Sequence, residues 1–107
     1  MTEQPATHVI EIFLPLYDNE GDRFGPGLFQ DVRSELVEKF GGLTAFTRSP
    51  AEGLWEHDGR TSRDDIVIFE VMTEDLDEPW WRARRKSLER DFRQDEVVIR
   101  AQQIRRL

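Results

Sequence analysis

Two carboxylates and one imidazole stand where they could move a proton. Glu11 and Glu70 each sit inside an alternating apolar run, HVIEIFLP and DDIVIFEVM, and His57 stands beside an Asp-Gly pair. A carboxyl group set among apolar neighbours suits a general base, because desolvation brings proton exchange toward neutral pH. An imidazole exchanges protons there without help. Glu11, Glu70 and His57 are therefore the catalytic candidates. A second set suits binding. The stretch FTRSPAEGLW places Arg48 and Ser49 ahead of Pro50 and ends on Trp55, while Arg100 lies in the last apolar run, EVVIRAQQI. Guanidinium donors fit a carboxylate or phosphate, and an indole can floor a small pocket. Arg48, Ser49, Trp55 and Arg100 are thus the candidates for holding a small anionic ligand. Each set also has a plainer reading. Buried charges pair across strands, FTRSPAEGLW is a corner between strands, and Trp55 belongs to the core.

Other chemistry finds little support. The chain has no cysteine, and His8 and His57 show no HxH or HxxxH spacing, so neither a disulfide nor a metal site is expected. Ser49 lacks a G-x-S-x-G frame. There is no P-loop and no G-x-G-x-x-G, and no cofactor is expected. Gly21, Gly25 and Gly27 precede a helix, which leaves room for backbone contact with an anion at its N-terminus. A later helix carries Arg82, Arg85, Lys86, Arg90 and Arg93, with Glu89 four residues from its arginine neighbours on either side. Ion pairs and a solvated face account for that stripe. Arg84 falls between Trp80 and Leu88 on the packed side, where it is expected to reach a carboxylate or stack on indole.

The elements that must position these groups follow from periodicity. HVIEIFLP alternates as a strand. LFQDVRSELVEKF brings Phe29, Val32, Leu36 and Phe40 onto one helical stripe, with Pro26 at its start and Gly41-Gly42 at its end. LTAFTR is a second strand. GLWEH either continues it or opens a hairpin, with Asp58-Gly59 as the turn. DDIVIFEVM is dense in β-branched residues. The second helix runs from Glu78 to Gln94, with Asp77 as N-cap, Pro79 in the first turn, and Trp81, Leu88 and Phe92 on one face. EVVIRAQQI is the final strand. The order β-α-β-β-α-β predicts an α+β ferredoxin-like sandwich: an antiparallel sheet with two helices on one face and room for one extra short strand. All 107 residues form a single domain, with 1–6 a loose start.

Alternation then sorts the sheet into two faces. Ile10, Ile12, Leu14, Val67, Phe69, Val71, Val97, Ile99 and Ala101 should meet the helices. Val9, Glu11, Phe13, Phe46, Arg48, Ile66, Ile68, Glu70, Met72, Val98, Arg100 and Ile104 should lie opposite. That second face is too apolar for water. A second copy of the chain is the expected cover, which makes the protein a homodimer through this face.

Charge narrows the partners. The chain is 37% hydrophobic and 35% charged with a net charge of −7, as in soluble globular proteins. Residues 82–107 hold nine basic and four acidic groups, yet residues 1–81 hold six basic and eighteen acidic. The acidic part repels phosphates over a Debye length of about 8 Å. RNA-recognition domains share the element order, but they carry aromatics in a basic motif on the third strand. Here that strand has acids at both ends, so no nucleic acid is expected. The opening MTEQPATHVIEIFLPLYD has no basic n-region, and its apolar run stops at Leu16. No membrane span and a cytoplasmic location are the expectation.

The run FGGLTAFTRSPAEGLW, with Trp80-Trp81 opening the second helix, resembles a family of small bacterial proteins of unknown function over residues 8–104. The glycine-led second strand, the later tryptophan and the acidic hairpin turn are similar, more distantly, to another such bacterial domain. The resemblance implies a ferredoxin-like fold and supplies no activity and no catalytic residue. The broader class of dimeric ferredoxin-like barrels includes cofactor-free monooxygenases, isomerases and ligand sensors. The functional expectation is a homodimeric binding or regulatory domain for a small anionic molecule. The alternatives are a small cofactor-free enzyme or a pocketless interaction module.

Overall fold

The structure, a computed structural model, describes residues 7–48, 56–57, 60–61 and 65–107. The elements are β1 (His8–Pro15), α1 (Pro26–Phe40), β2 (Thr44–Arg48), β3 (Glu56–His57), β4 (Arg60–Thr61), β5 (Ile66–Thr73), α2 (Glu78–Asp91) and β6 (Val98–Gln103). Strands β2-β5-β1-β6 form one antiparallel sheet in that order. This is the ferredoxin-like α+β arrangement, with the two central strands joined to the outer ones through the helices. Of GLWEH, Glu56 and His57 form β3 and pair antiparallel with β4, His57 opposite Arg60, while Gly53, Leu54 and Trp55 lie outside the described residues. Asp58-Gly59, read as the hairpin turn, also lies outside the described residues.

The helix-facing set predicted from alternation builds the core. Ile10, Ile12, Leu14, Val67, Phe69, Val71 and Val97 are buried and pack with Val32 and Leu36 of α1 and with Trp81 and Leu88 of α2. Ile99 is half-buried and Ala101 exposed. Both belong to or follow the outer edge, where a hollow of about 220 Å³ separates Trp81 and Arg85 from β6.

The helices are pinned at both ends by rings. Phe40 at the end of α1 stacks on Trp81 at 5.4 Å and 12°, while Trp80 meets both edge-on. At the opposite end Phe24, Phe29 and Phe92 form an edge-to-face triangle, with centroids 5.2–6.4 Å apart. Such pairs add about 0.5–1.5 kcal/mol each beyond area burial. Because the start of α2 meets the end of α1, the helices run antiparallel. Arg84 of α2 bridges to Glu35 of α1, and its guanidinium also donates to Ser87 Oγ at 2.7 Å. Of its two expected partners, carboxylate and indole, the carboxylate is the one it takes. Glu89 ties α2 to the sheet by accepting the Val97 N–H at 2.9 Å.

Both helix termini use local chemistry legible in the chain. Asp77 caps α2 by accepting the Trp80 N–H at 3.2 Å. The α2 end falls at Asp91, short of Gln94. Arg93 turns into the left-handed region at φ 51°. Gln94 N–H then bonds Glu89 O at 2.8 Å and Arg93 N–H bonds Arg90 O at 3.2 Å. That pair of bonds is a Schellman closure with arginine where glycine is usual. Helix α1 ends at Gly41, with φ 80° and its N–H on Val37 O at 2.8 Å.

A Cβ on Gly41 would touch nothing within 4 Å, so only its backbone angle resists substitution. Gly41→Ala should therefore destabilise the fold by about 1 kcal/mol. Urea denaturation should show a lower midpoint at unchanged slope. An unchanged midpoint would mean that α1 ends without the left-handed residue.

Candidate functional site

Strand register arranges the second sheet face in transverse rows. Phe46, Ile68, Phe13 and Val98 align across β2-β5-β1-β6 as one apolar row. Thr44, Glu70, Glu11 and Arg100 align beside it as one polar row. Met72, Val9 and Gln102 form the next. The predicted composition of this face is thus reproduced. Ile68, between two aromatic partners, is 2% exposed. Phe46 at 41%, Met72 at 49% and Val98 at 48% are left open.

The polar row brings together three of the seven candidate site residues. Glu11 and Glu70 face each other across β1 and β5, an arrangement of like charges that disfavours pairing unless a cation intervenes. Arg100, opposite Glu11 on β6, supplies it. Its Nε donates to Glu11 Oε1 at 2.7 Å, and its guanidinium lies 4.8 Å from the Phe13 ring centroid. The Glu11 side chain is 15% exposed and that of Arg100 is 54% exposed, so the pair is open on its cationic side. The Glu70 side chain forms no ion pair or hydrogen bond with another described residue. It borders a depression of about 400 Å³ with Met72, Thr44 and Arg106. Of the two carboxylates, Glu70 is the one still free to act as a base.

The other candidates do not join this cluster in the described structure. Arg48 holds the register position opposite Ile66 at the end of β2. His57 stands in the separate β3–β4 hairpin. Ser49 and Trp55, with the rest of the corner between them, lie outside the described residues. His8 begins β1, with its Nδ1 2.7 Å from Thr7 Oγ1. Among the described residues no group of three or more metal-ligating side chains converges, and no helix is long and apolar enough to cross a membrane.

A second concavity lies on the helix side of the sheet, and reading the sequence one element at a time does not disclose it. The loop before α1, the first two turns of α1, and the β2 and β5 strands enclose a cleft of about 600 Å³. Phe24, Phe29 and Phe69 supply its aromatic lining, and among the described residues Arg23 and Arg33 are its only charged ones. The loop is shaped by Asp18, whose Oδ1 accepts the N–H groups of Glu20 and Asp22 at 2.9 Å each. A Tyr17–Arg23 bridge closes it. Arg33 reads in sequence as one more solvated helix charge. Its spacing of four from Phe29 was the available signal, since it puts both on one edge of the α1 stripe.

No family model matches the chain, and no curated protein matches it. Solved structures do. A phage SAM lyase in complex with S-methyl-5′-thioadenosine is 17% identical, with a TM-score of 0.58, over 96% of this chain and 86% of that one. A phage SAM lyase in the apo state is 14% identical, with a TM-score of 0.59, over the same shares. At such identity the likeness establishes the shared fold and leaves the site to be argued from its own residues.

The Glu11–Arg100 contact gives a direct test of the row. A double-mutant cycle with Glu11→Gln and Arg100→Gln should yield a coupling of about 0.5–1 kcal/mol, since one partner is solvent-exposed. Coupling indistinguishable from zero would mean that the two charges are held near each other without stabilising the sheet.

Proposed function

We propose that this chain is a homodimeric domain that binds a small anionic molecule. The observation that carries the reading is the row pattern of the second sheet face. An apolar row open at Phe46 and Val98, a polar row beside it and Met72 beyond that give a second copy both a hydrophobic surface and charges to align. An isologous partner can meet the unpartnered Glu70 with the open side of Arg100, satisfying in the dimer a charge that one chain leaves alone. Arg48, Ser49, Trp55 and the spare donors of Arg100 are the proposed ligand contacts.

The test is sedimentation equilibrium of the wild type, Phe46→Asp and Met72→Lys. The wild type is expected to be a dimer at micromolar concentration. Each variant, by placing a charge in the apolar contact, should weaken association about a hundredfold. A wild-type monomer, or a dimer indifferent to both substitutions, would contradict the reading.

A cofactor-free enzyme is the second reading, favoured by one observation on each side. The fold neighbours are lyases acting on SAM, and Glu70 is a carboxylate without a described partner on an apolar face. SAM is a sulfonium cation, which such a carboxylate can face. On this reading Glu70 takes a proton from the carbon next to the sulfonium-bearing carbon of the amino acid part, and the C–S bond breaks with its electron pair going to sulfur. Incubation with SAM then yields S-methyl-5′-thioadenosine and 2-aminobut-3-enoate, and Glu70→Gln lowers the rate at least about a hundredfold, the scale of a lost general base. Absence of product, or full activity in the variant, removes Glu70 as the catalytic group.

A further inference from the structure

We infer that the cleft between the α1 start and the β2–β5 edge is the binding site for an aromatic molecule bearing a carboxylate or phosphate. The inference goes beyond the small-anion reading and the dimer, because the cleft opens on the helix side of the sheet, away from Arg100.

Three features converge on that ligand class. The first is size: about 600 Å³ falls within the range of small-molecule sites. The second is the lining. Phe69 is fully buried on the core side of β5, and Phe24 and Phe29 meet edge-on at 6.4 Å, so the walls are rigid rings. Phe29, half-buried, is the ring with surface left for a planar ligand. The third is charge. In a chain of net charge −7, the described lining of the cleft carries two arginines and no acid. Neither arginine forms an ion pair with a described residue.

The posture of the arginines matters as much as their number. The Arg33 guanidinium carbon lies 5.6 Å from the Phe69 ring centroid, and that of Arg23 lies 5.9 Å from the Tyr17 ring. Each therefore folds back onto an aromatic surface at the cleft and keeps its planar fork of donors unspent. The arginines on α2 behave differently. Arg82, Arg84, Arg85 and Arg90 each reach a carboxylate. Two forks left without carboxylates beside an aromatic cleft match a ligand that supplies the anion itself, with its ring against half-buried Phe29, over a floor closed by buried Phe24 and Phe69, and its oxygens toward Arg23 and Arg33. Thr47, on the β2 side, adds a hydroxyl to the lining.

The experiment is a titration of the full chain, observed through its backbone amide resonances, with benzoate, phenyl phosphate and neutral benzyl alcohol. Either anion should shift the amides of Phe24, Gly25, Phe29, Arg33 and Thr47 saturably, and benzyl alcohol should bind at least about tenfold more weakly. A preference between the two anions identifies the head group as carboxylate or phosphate. Arg23→Gln and Arg33→Gln should each weaken binding about tenfold while leaving the remaining spectrum in place. Equal binding of benzyl alcohol, or anion binding unchanged in the double variant, overturns the inference. Shifts confined to Glu11, Phe46, Met72 and Arg100 would overturn the cleft and leave the small-anion reading standing. No saturable shift anywhere would count against both.

Discussion

The antiparallel pairing of β1 with β5 is the constraint on which the rest depends. It fixes Ile12 opposite Phe69 on the helix side and Glu11 opposite Glu70 on the other. A slip of one residue would exchange the faces of a strand and bury its charges in the core. The core residues of these two strands are almost wholly removed from water, and burying each such side chain contributes about 1.5–3 kcal/mol. That sum far exceeds the cross-strand repulsion of two carboxylates. The register is therefore held from the helix side, and the polar row on the far face is a consequence that Arg100 then makes tolerable.

The same division separates stability from function. The helix face is closed by rings at both ends of the α1–α2 pair and by the Arg84–Glu35 bridge between them. These contacts satisfy one another. What remains unsatisfied is the half-open apolar row and Glu70 on the far face and, on the helix side, two arginines folded onto aromatic rings without a carboxylate. Groups a single chain leaves without partners are where a second chain or a small molecule has something to add.

Much of this was legible in the sequence because period-two and period-3.6 patterns are strong in short, well-capped elements. HVIEIFLP reads as β1 residue for residue, and Asp77 and Gly41 mark helix ends through chemistry that needs no tertiary knowledge. The end of α2 was misplaced because Arg93, a good helix former, adopts a conformation that favours glycine. The rows could be anticipated in composition but not in alignment, since register depends on pairing across the chain. The arginine cleft was hidden for a related reason. Arg23 comes from a loop and Arg33 from a helix, and only the packing of α1 beside β5 brings both to the lining of one cleft. The glycines ahead of α1 pointed to the right end of the helix without naming the residues that matter.

Native mass spectrometry of the protein purified from its own host would test the account most directly, because it reports assembly and retained small molecules together. The account predicts a dimer mass that carries a small anion and loses it on collisional activation. A ligand-free monomer would contradict it, since the open apolar row and the unpaired arginines would then both be stable in water without a partner.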